Sequence, residues 1–389
     1  MKVDSPPYYT TLVRLLAAAT LMVPGEIVAL QRPAIGGGNE ALVQLRVSSV
    51  CRGCRVELRP VATISDSAFE VDLNFPRISR LADGKFVVGG TGGVMGAFDG
   101  GGAFLRKFGQ TGSGPGEFRR PLSLLSGSED SVYVDDLTLS RMTVVDPALR
   151  QAVRTFPVPP HVDAIRLQDG RFIVSGYLAT VQRAGLPLHV IEASGRLAQS
   201  FGVDSPVVRE NPNRMLTRYL SPHPNGGFIS AMTYRYEFEH WSNSLVLLKR
   251  FVREVNWFPP MRAEQSVDFL ARSPLPAQLF GVSTTPASSI AFATIILAAK
   301  DWKPDPRIKG TSGELSFMPP RPVGIYVNKY VDTIFEAIDL STGSVLATSR
   351  FPGSYSPISH TPYHWTLKEQ SDGNVMVQIV KAELVHPKP

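Results

Sequence analysis

The sequence predicts an all-β fold, a six-bladed β-propeller of four-stranded blades, and three observations lead to this prediction. Short runs of β-branched and aromatic residues alternate with Gly, Asp and Asn turn residues along most of the chain. Asp83 and Asp169, each in an Asp-Gly turn, are 86 residues apart, which is two propeller repeats of 43. A strand at 56–64 has no blade of its own, and the C-terminal repeat lacks its end. Pairing these two partial blades would close the ring and remove exposed sheet edges.

Residues 1–30 have the pattern of an export signal. Lys2 and Arg14 precede an apolar run at 15–23, Pro24-Gly25 breaks the run, and Ala29 offers a small residue before a cut. The apolar run is shorter than the ~20 residues that a membrane-spanning helix needs. We therefore expect a signal peptide, a periplasmic or extracellular protein, and no membrane span after cleavage. A buried N-terminal helix is the alternative.

Residues 31–54 are predicted to be a linker that contains the only two cysteines, Cys51 and Cys54, spaced as Cys-x-x-Cys. Arg55 stands where haem attachment requires His, and neither a second cysteine pair nor a histidine is close in sequence to complete a zinc site. A local disulfide is the favoured state in an exported chain. Reduced thiols with a redox role remain the alternative.

The propeller is predicted to span 55–384 and to leave a C-terminal tail at 385–389. Repeats one to three occupy 76–109, 109–157 and 162–202, each with short strands around tight turns. The fourth repeat is expected to place strands at 228–231, 244–249 and 255–259, and the fifth at 278–283, 289–299, 333–340 and 345–351. Insertions at 261–277 and 302–324 interrupt this half. The sixth repeat combines 365–367 and 375–380 with the N-terminal strand. Five of the six outer strands are predicted to end in Phe and the last in Ile: Phe108, Phe156, Phe201, Phe258, Phe351 and Ile64.

One stretch, 109–147, supplies the most regular repeat: a Gly-rich loop at 112–118, a strand at 132–135, Arg141, and Val144-Val145-Asp146. These residues resemble an NHL-type blade, the repeat of a family of β-propellers. The resemblance implies that Glu117 accepts backbone hydrogen bonds within the loop and that Phe118 packs between blades. The loop is not followed by a helix or by Gly-Lys-Ser/Thr, so a phosphate-binding motif is not predicted.

The resemblance also suggests where chemistry could occur, because some propellers similar to this family are lyases or lactonases with a metal in the central channel. His161 and His364 each lie eight residues before an Asp-Gly turn, in repeats that face each other across the axis. The pair predicts either part of an anion site or, as an alternative, two ligands of a divalent metal. Further candidate ligand-binding residues at the channel mouth are Arg77, Arg120, Tyr177, Arg218 and Arg235.

A ring of His and Arg side chains favours a small anionic ligand, because guanidinium groups donate paired hydrogen bonds to carboxylate or phosphate. The alternative is that these residues bind no ligand and are polar because the loops between blades are exposed to solvent. The aromatic stretch 234–241 is placed in the connection between the second and third strands of repeat four. It is either a binding surface or the alternating packing of a strand pair.

The net charge of +6 is spread along the chain without a Lys/Arg cluster or a nucleic-acid motif, so nucleic-acid binding is not expected. We expect a monomeric, non-catalytic binding module for a small anionic molecule, a glycan or a protein, with no cofactor. Two alternatives remain: a metal-dependent lyase or lactonase, and a structural interaction platform that uses the 302–324 insertion. A fold alone does not decide among them.

Overall fold

The computed structural model describes residues 41–65, 73, 76–90, 92–127, 131–176, 178, 186–202, 218–223, 225–259, 274–285, 288–303, 328–358, 361–371 and 374–387. The predicted signal peptide lies outside the described residues, as do most of both insertions. Within the described residues the fold is all-β, with one short 3₁₀ turn at Asn328–Tyr330 and no α-helix. No helix in this part of the chain is long and apolar enough to cross a bilayer.

The N-terminal part contributes three strands to sheets that are otherwise built much later in the chain. They are β1 (Ala41–Gln44), β2 (Arg46–Val47) and β3 (Arg55–Ser65). The linker predicted at 31–54 is therefore partly strand, because β1 and β2 add a fifth, parallel strand to the outer edges of two blades. Gly343 permits this approach, since a Cβ at that position would lie 2.4 Å from Cγ1 of Val43.

The first three blades follow the predicted repeats. Blade one consists of β4 (Arg77–Arg80), β5 (Phe86–Gly89), β6 (Met95–Phe98) and β7 (Phe104–Phe108). A short parallel pair, β8 (Gln110–Thr111) and β9 (Glu117–Phe118), leads into blade two. Blade two consists of β10 (Pro121–Ser126), β11 (Val132–Asp136), β12 (Arg141–Val145) and β13 (Ala152–Pro157). Blade three consists of β14 (Asp163–Arg166), β15 (Phe172–Ser175), β16 (Leu188–Ile191) and β17 (Leu197–Phe201).

The last three blades depart from the predicted boundaries in places. Blade four consists of β18 (Arg218–Pro222), β19 (Phe228–Met232), β20 (Glu237–Trp241) and β21 (Leu247–Val252). Blade five consists of β22 (Gln278–Thr284), β23 (Ile290–Ala298), β24 (Val331–Asp339) and β25 (Ser344–Pro352), as predicted. Blade six consists of β26 (Ser356–Pro357), β27 (Tyr363–Glu369), β28 (Val375–Val385) and the N-terminal β3.

Closure of the ring occurs as predicted, by pairing of the N-terminal strand β3 with the C-terminal strand β28. The two are antiparallel from Arg55 opposite Val385 to Ser65 opposite Met376. Ile64 is fully buried and lies opposite Val377, in the place that Phe108 takes in blade one. The sixth blade thus takes three strands from the C-terminal part and one from the N-terminal part of the chain.

Two predicted elements of blade four are wrong. The third strand is 237–241, within the aromatic stretch that was placed in a connection, and the outer strand is 247–252. Consequently Phe251 takes the outer-strand position, opposite Phe238, whereas Phe258 lies in a later turn and packs on Tyr236. The interpretation of the aromatic stretch as strand-pair packing is the one that agrees with this geometry.

The hydrophobic core lies between the blades. Each of the six interfaces between neighbouring blades contains its own cluster of buried apolar side chains. Phe118 is fully buried between blades one and two, as the resemblance implied. Each Å² of apolar surface buried at an interface contributes roughly 25 cal/mol to the free energy of unfolding. Because every blade buries such surface against both neighbours, the blades stabilise one another as a closed ring.

The Gly-rich loop of 112–118 is held by two charged side chains. Glu117 accepts hydrogen bonds from the Gly114 N–H at 2.7 Å and from the Gln110 side chain at 2.9 Å, and these bonds lower the pKa of its carboxyl group. Arg141 donates to the carbonyl oxygens of Ser113, Gly114 and Glu117, each at 2.8 Å. The predicted backbone-binding role of Glu117 is therefore confirmed.

Blades four and five are joined by a buried ion pair. Arg253, which follows β21, meets Glu336 of β24 with two contacts, Nε to Oε2 at 2.8 Å and Nη2 to Oε1 at 2.9 Å. The hydroxyl of Tyr236 donates to Oε2 at 2.6 Å, and that of Thr348 donates to Oε1 at 2.9 Å. Burial and the neighbouring carboxylate raise the pKa of Tyr236, so its hydroxyl keeps its proton as a donor.

Candidate functional site

The innermost strands of all six blades surround one central cavity of about 90 Å³. Sites for drug-sized ligands usually measure about 300–1,000 Å³, so this cavity is small beside them. Most of a glycan or a peptide would therefore lie outside the cavity. The polar side chains in its wall are Arg77, Ser123, Asp163, Ser221, Ser283 and Ser356.

We call the end of the ring at which the innermost strands begin the mouth face. Because neighbouring strands in each blade are antiparallel, the connections between blades and the loops between second and third strands emerge there. The first residues of the innermost strands define it: Arg77, Pro121, Asp163, Arg218, Gln278 and Ser356.

Arg77 and Arg120 lie where the sequence placed them, at the start of neighbouring innermost strands on the mouth face. Arg77 is half-buried in the cavity wall, and Arg120 is exposed one residue before β10. The backbone N–H groups of Arg119 and Arg120 both donate to Oδ2 of buried Asp136, at 2.6 and 3.2 Å. Asp136 therefore fixes the backbone of two consecutive exposed arginines. Arg119 was missed in the sequence, although its position beside Arg120 was a signal.

His161 is buried next to two carboxylates and is not exposed at the mouth. Its Nε2 lies 2.9 Å from Oδ2 of Asp135, and its Nδ1 faces the carbonyl oxygen of Pro159 at 2.8 Å. A carbonyl only accepts, so Nδ1 carries a proton, and Nε2 needs a second proton to face a carboxylate favourably. Burial opposes this charge, but Asp135, the Pro159 carbonyl and Asp163 outweigh it and raise the pKa of His161 to about 8.

Arg218 is also buried, and its charge is used within blade four. Its guanidinium pairs with Glu239 of β20, which is fully buried and also accepts from Trp241 Nε1 at 3.2 Å. Arg250 approaches the same carboxylate at 3.6 Å. The charge of Arg218 is therefore used within the sheet of blade four, where Glu239 is its partner.

Arg235 is exposed in the loop between β19 and β20, on the mouth face, and lies 3.6 Å from Glu237. Tyr177 lies outside the described residues, so its proposed role stays a prediction. Of the predicted ligands, the structure thus brings Arg77 and Arg120 to neighbouring positions and places Arg235 on the same face.

The predicted placement of His364 at the mouth of an innermost strand is wrong. His364 lies on β27, the second strand of blade six, because residues 370–374 connect the second and third strands rather than the first and second. Its ring is fully buried against Phe335, and Nε2 lies 2.9 Å from Thr294 Oγ1. Burial lowers the pKa of His364 to about 3, so this imidazole is neutral.

His161 and His364 share no contact among the described residues, and neither belongs there to a group of three metal-ligating side chains. The group of this kind in the described chain is Cys51, Cys54 and His386. The two cysteines are bonded to each other, as predicted, with their Cα atoms 5.5 Å apart. They lie at the opposite end of the ring from the mouth face, where β3 begins and β28 ends.

No family model and no curated protein matches this sequence, so the resemblance to NHL-type repeats stays a prediction. Solved structures do match. A Bacteroides fragilis protein named "Putative exported protein" aligns over 88% of this chain and 100% of its own, at 10% identity and a TM-score of 0.55.

Virginiamycin B lyase from Staphylococcus aureus aligns over 84% of this chain and 99% of its own, at 10% identity and a TM-score of 0.41. BamB from Moraxella catarrhalis aligns over 85% and 100%, at 12% identity and a TM-score of 0.39. At these identities the likeness concerns the fold alone. This chain is a six-bladed β-propeller closed by its N-terminal strand.

Proposed function

We propose that this chain is an exported, non-catalytic binding module that holds an anionic ligand on the mouth face, beside blades one and two. The observation that carries the proposal is the Arg119-Arg120 pair. Both side chains are exposed, neither forms an ion pair within the described residues, and Asp136 fixes their backbone. They stand at the start of β10, which packs beside β4 and its first residue, Arg77.

The charge balance on this side of the mouth face supports an anion. The nearby carboxylates of Asp135, Asp136 and Asp163 are buried and engaged by His161 or by backbone N–H groups. The described exposed carboxylates of the mouth face lie in blades four to six instead: Glu254, Asp301 and Glu369. Glu117, the partly exposed carboxylate in the connection between blades one and two, is engaged by the Gly114 N–H and the Gln110 side chain. Within the described residues the charges of Arg119 and Arg120 are therefore not used by an ion pair.

The size of the cavity defines how such a ligand would bind. Only a small group, such as a carboxylate or a sulfate, fits a volume of about 90 Å³, so the rest of the ligand would lie across the rim. Arginine suits this role because its planar guanidinium donates two parallel hydrogen bonds to one oxyanion. An anionic glycan or an acidic protein segment presents such groups at intervals.

The test is binding of sulfated and carboxylated oligosaccharides and of acidic peptides, measured at low and at physiological salt. We expect Arg119→Ser/Arg120→Ser to weaken binding at least about tenfold, since each lost charge-assisted hydrogen bond is worth about 1.5–3 kcal/mol. The matched control is Arg150→Ser/Arg196→Ser, which removes the same charge from turns at the opposite end of the ring. Equal weakening by both variants would refute a site at the mouth face.

Export is part of the proposal. The disulfide between Cys51 and Cys54 agrees with an oxidising compartment, and the Bacteroides fragilis protein with this fold bears an exported-protein name. Cell fractionation of the full chain, with a variant in which the 15–23 run carries two Asp substitutions, tests it. Retention of the variant in the cytoplasm is expected, and equal distribution of both proteins would contradict export by this signal.

A further inference from the structure

We infer that Cys51, Cys54 and His386 form a metal-binding site that holds Zn²⁺ when the two cysteines are reduced. Both sulfur atoms lie near the same ring nitrogen, since Nδ1 of His386 is 3.5 Å from Sγ of Cys51 and 3.4 Å from Sγ of Cys54. No local sequence pattern predicts this group, because more than three hundred residues separate His386 from the cysteines. The fold brings them together.

The distances match a tetrahedral zinc site. With Zn–S at about 2.3 Å and Zn–N at about 2.0 Å, tetrahedral angles place sulfur and nitrogen about 3.5 Å apart. The two cysteine-to-histidine distances already have this value. Only the sulfur atoms must separate, and rotation about the Cα–Cβ bonds does this without moving the backbone, because Cα atoms 5.5 Å apart suit both arrangements.

The backbone around the group is fixed by the closure of the ring. Arg55 pairs with Val385 at the end of the β3–β28 ladder, which sets Cys54 beside His386. Gly53 adopts a left-handed conformation with φ of 81°, and the Cys54 N–H donates to the Cys51 carbonyl at 3.3 Å. A Cβ on Gly53 would contact the Pro387 ring at 3.5 Å, so the cysteine turn packs directly on the residues after β28.

The donor set selects the metal. Two thiolates and one imidazole favour Zn²⁺ or Cu⁺ over Mg²⁺ or Ca²⁺, which prefer oxygen ligands. A thiol reductant first converts the disulfide to two thiols and is itself oxidised to a disulfide. Zn²⁺ then replaces the two thiol protons, which are released to solvent. Three protein ligands leave the fourth position to water or to a ligand from solution. His386 is exposed, so an ion can reach the site.

The consequence is a coordinate link between the N-terminal strand β3 and the C-terminal strand β28, in addition to their hydrogen bonds. The disulfide joins only neighbouring residues, whereas the metal would join the start of β3 to the end of β28. Metal binding would thus stabilise the closure of the ring, and the redox state of the cysteines would decide whether that link forms.

The experiment titrates Co²⁺ and Zn²⁺ into the full chain, oxidised and phosphine-reduced, and compares the wild type with His386→Ala and His223→Ala. In the reduced wild type we expect one Co²⁺ per chain, a thiolate-to-cobalt charge-transfer band, and displacement by Zn²⁺. The oxidised protein should show no such band. His386→Ala should bind at least about tenfold more weakly, since even outer-shell partners of metal ligands contribute that much.

The control, His223→Ala, removes a histidine that stacks on His240 outside the cluster, and it should bind like the wild type. The melting temperature of the reduced wild type should rise with Zn²⁺, and that of His386→Ala should not. Equal affinities of wild type and His386→Ala, or a cobalt band that needs no reduction, would overturn the inference.

Discussion

The ion pair between Arg253 and Glu336 is the contact at which a single substitution should weaken the joint between blades four and five. Arg253→Met keeps most of the side-chain volume but removes the guanidinium, so Glu336 loses its cationic partner in a site where its side chain has no solvent exposure. Removing one partner of a buried pair costs about 3–5 kcal/mol. The hydroxyls of Tyr236 and Thr348 still donate to the carboxylate, so we expect the lower end, about 3 kcal/mol.

The double variant Arg253→Met/Glu336→Gln separates pairing from packing. A neutral amide needs no cation, so the double variant should be more stable than Arg253→Met alone, by about 1–2 kcal/mol. The measurement is the free energy of unfolding from urea denaturation, with Arg235→Met as the control. The guanidinium of Arg235 is exposed and lies 3.6 Å from Glu237, so its loss should cost less than about 1 kcal/mol. The reasoning is refuted if Arg253→Met costs as little as the control, or if the double variant is no more stable than Arg253→Met alone.

Three further predictions concern the closure strand and two of the buried histidines, His161 and His364. Ile64→Ala should lower the free energy of unfolding by about 2–4 kcal/mol, because it leaves a cavity beside the closing strand, whereas half-buried Val61→Ala should cost clearly less in the same urea titration. His161 has a folded pKa of about 8, above its unfolded value of 6.5, so its stabilisation is complete below pH 6.5 and should be lost as pH rises through 8. Urea titrations should show a loss of about 1.3 kcal/mol between pH 6.5 and pH 8, and of about 2 kcal/mol over the whole window from below pH 6 to above pH 9. A His161→Gln variant with an unchanged slope would contradict it. His364 has a folded pKa of about 3, so its contribution is present above pH 6.5 and should fall by about 1.4 kcal/mol per pH unit between 6.5 and 3. Acid titration of His364→Gln should lack this component.

The repeats and the closure could be predicted from the sequence because both depend on patterns of apolar and turn residues within short segments. Outer strands end in Phe where a buried ring packs on the next blade, and Asp-Gly turns mark the hairpins of blades one and three. Ile64 follows the same rule at the other end of the chain. These patterns of apolar and turn residues can be recognised in the sequence even when the contacts between distant residues are unknown.

The strand assignments in blade four were wrong where charged residues interrupt the alternation of apolar residues that predicts a strand. The third strand of blade four contains Glu237 and Glu239, which the sequence presents as solvent-facing charges, yet Glu239 is fully buried because Arg218 crosses the sheet to pair with it. In blade six, an Asp-Gly turn does not reveal which two strands it connects. His364 was therefore assigned to the wrong strand.

The candidate site was only partly predictable for a related reason. Exposure of Arg120 follows from its place in a connection, but burial of His161 depends on Asp135 in the preceding blade. Likewise, His386 lies next to Cys51 only because β28 pairs with β3. Contacts between blades depend on how the whole ring is assembled, so they cannot be predicted from a short segment of the sequence.

The order in which the strands pair has a consequence for how the chain becomes folded. The segment 41–65 pairs successively with blades four, five and six, through partners such as Lys249, Val345 and Val377. A ribosome or a translocation channel releases this segment long before it releases its partners. The first strands therefore remain unpaired, and able to aggregate, until the last strand has been synthesised or translocated. Until then blades four and five also lack their outermost strands. We expect holding chaperones to act mainly on this N-terminal segment, and a circular permutant that begins at blade one and carries 41–65 at its C-terminus to fold faster.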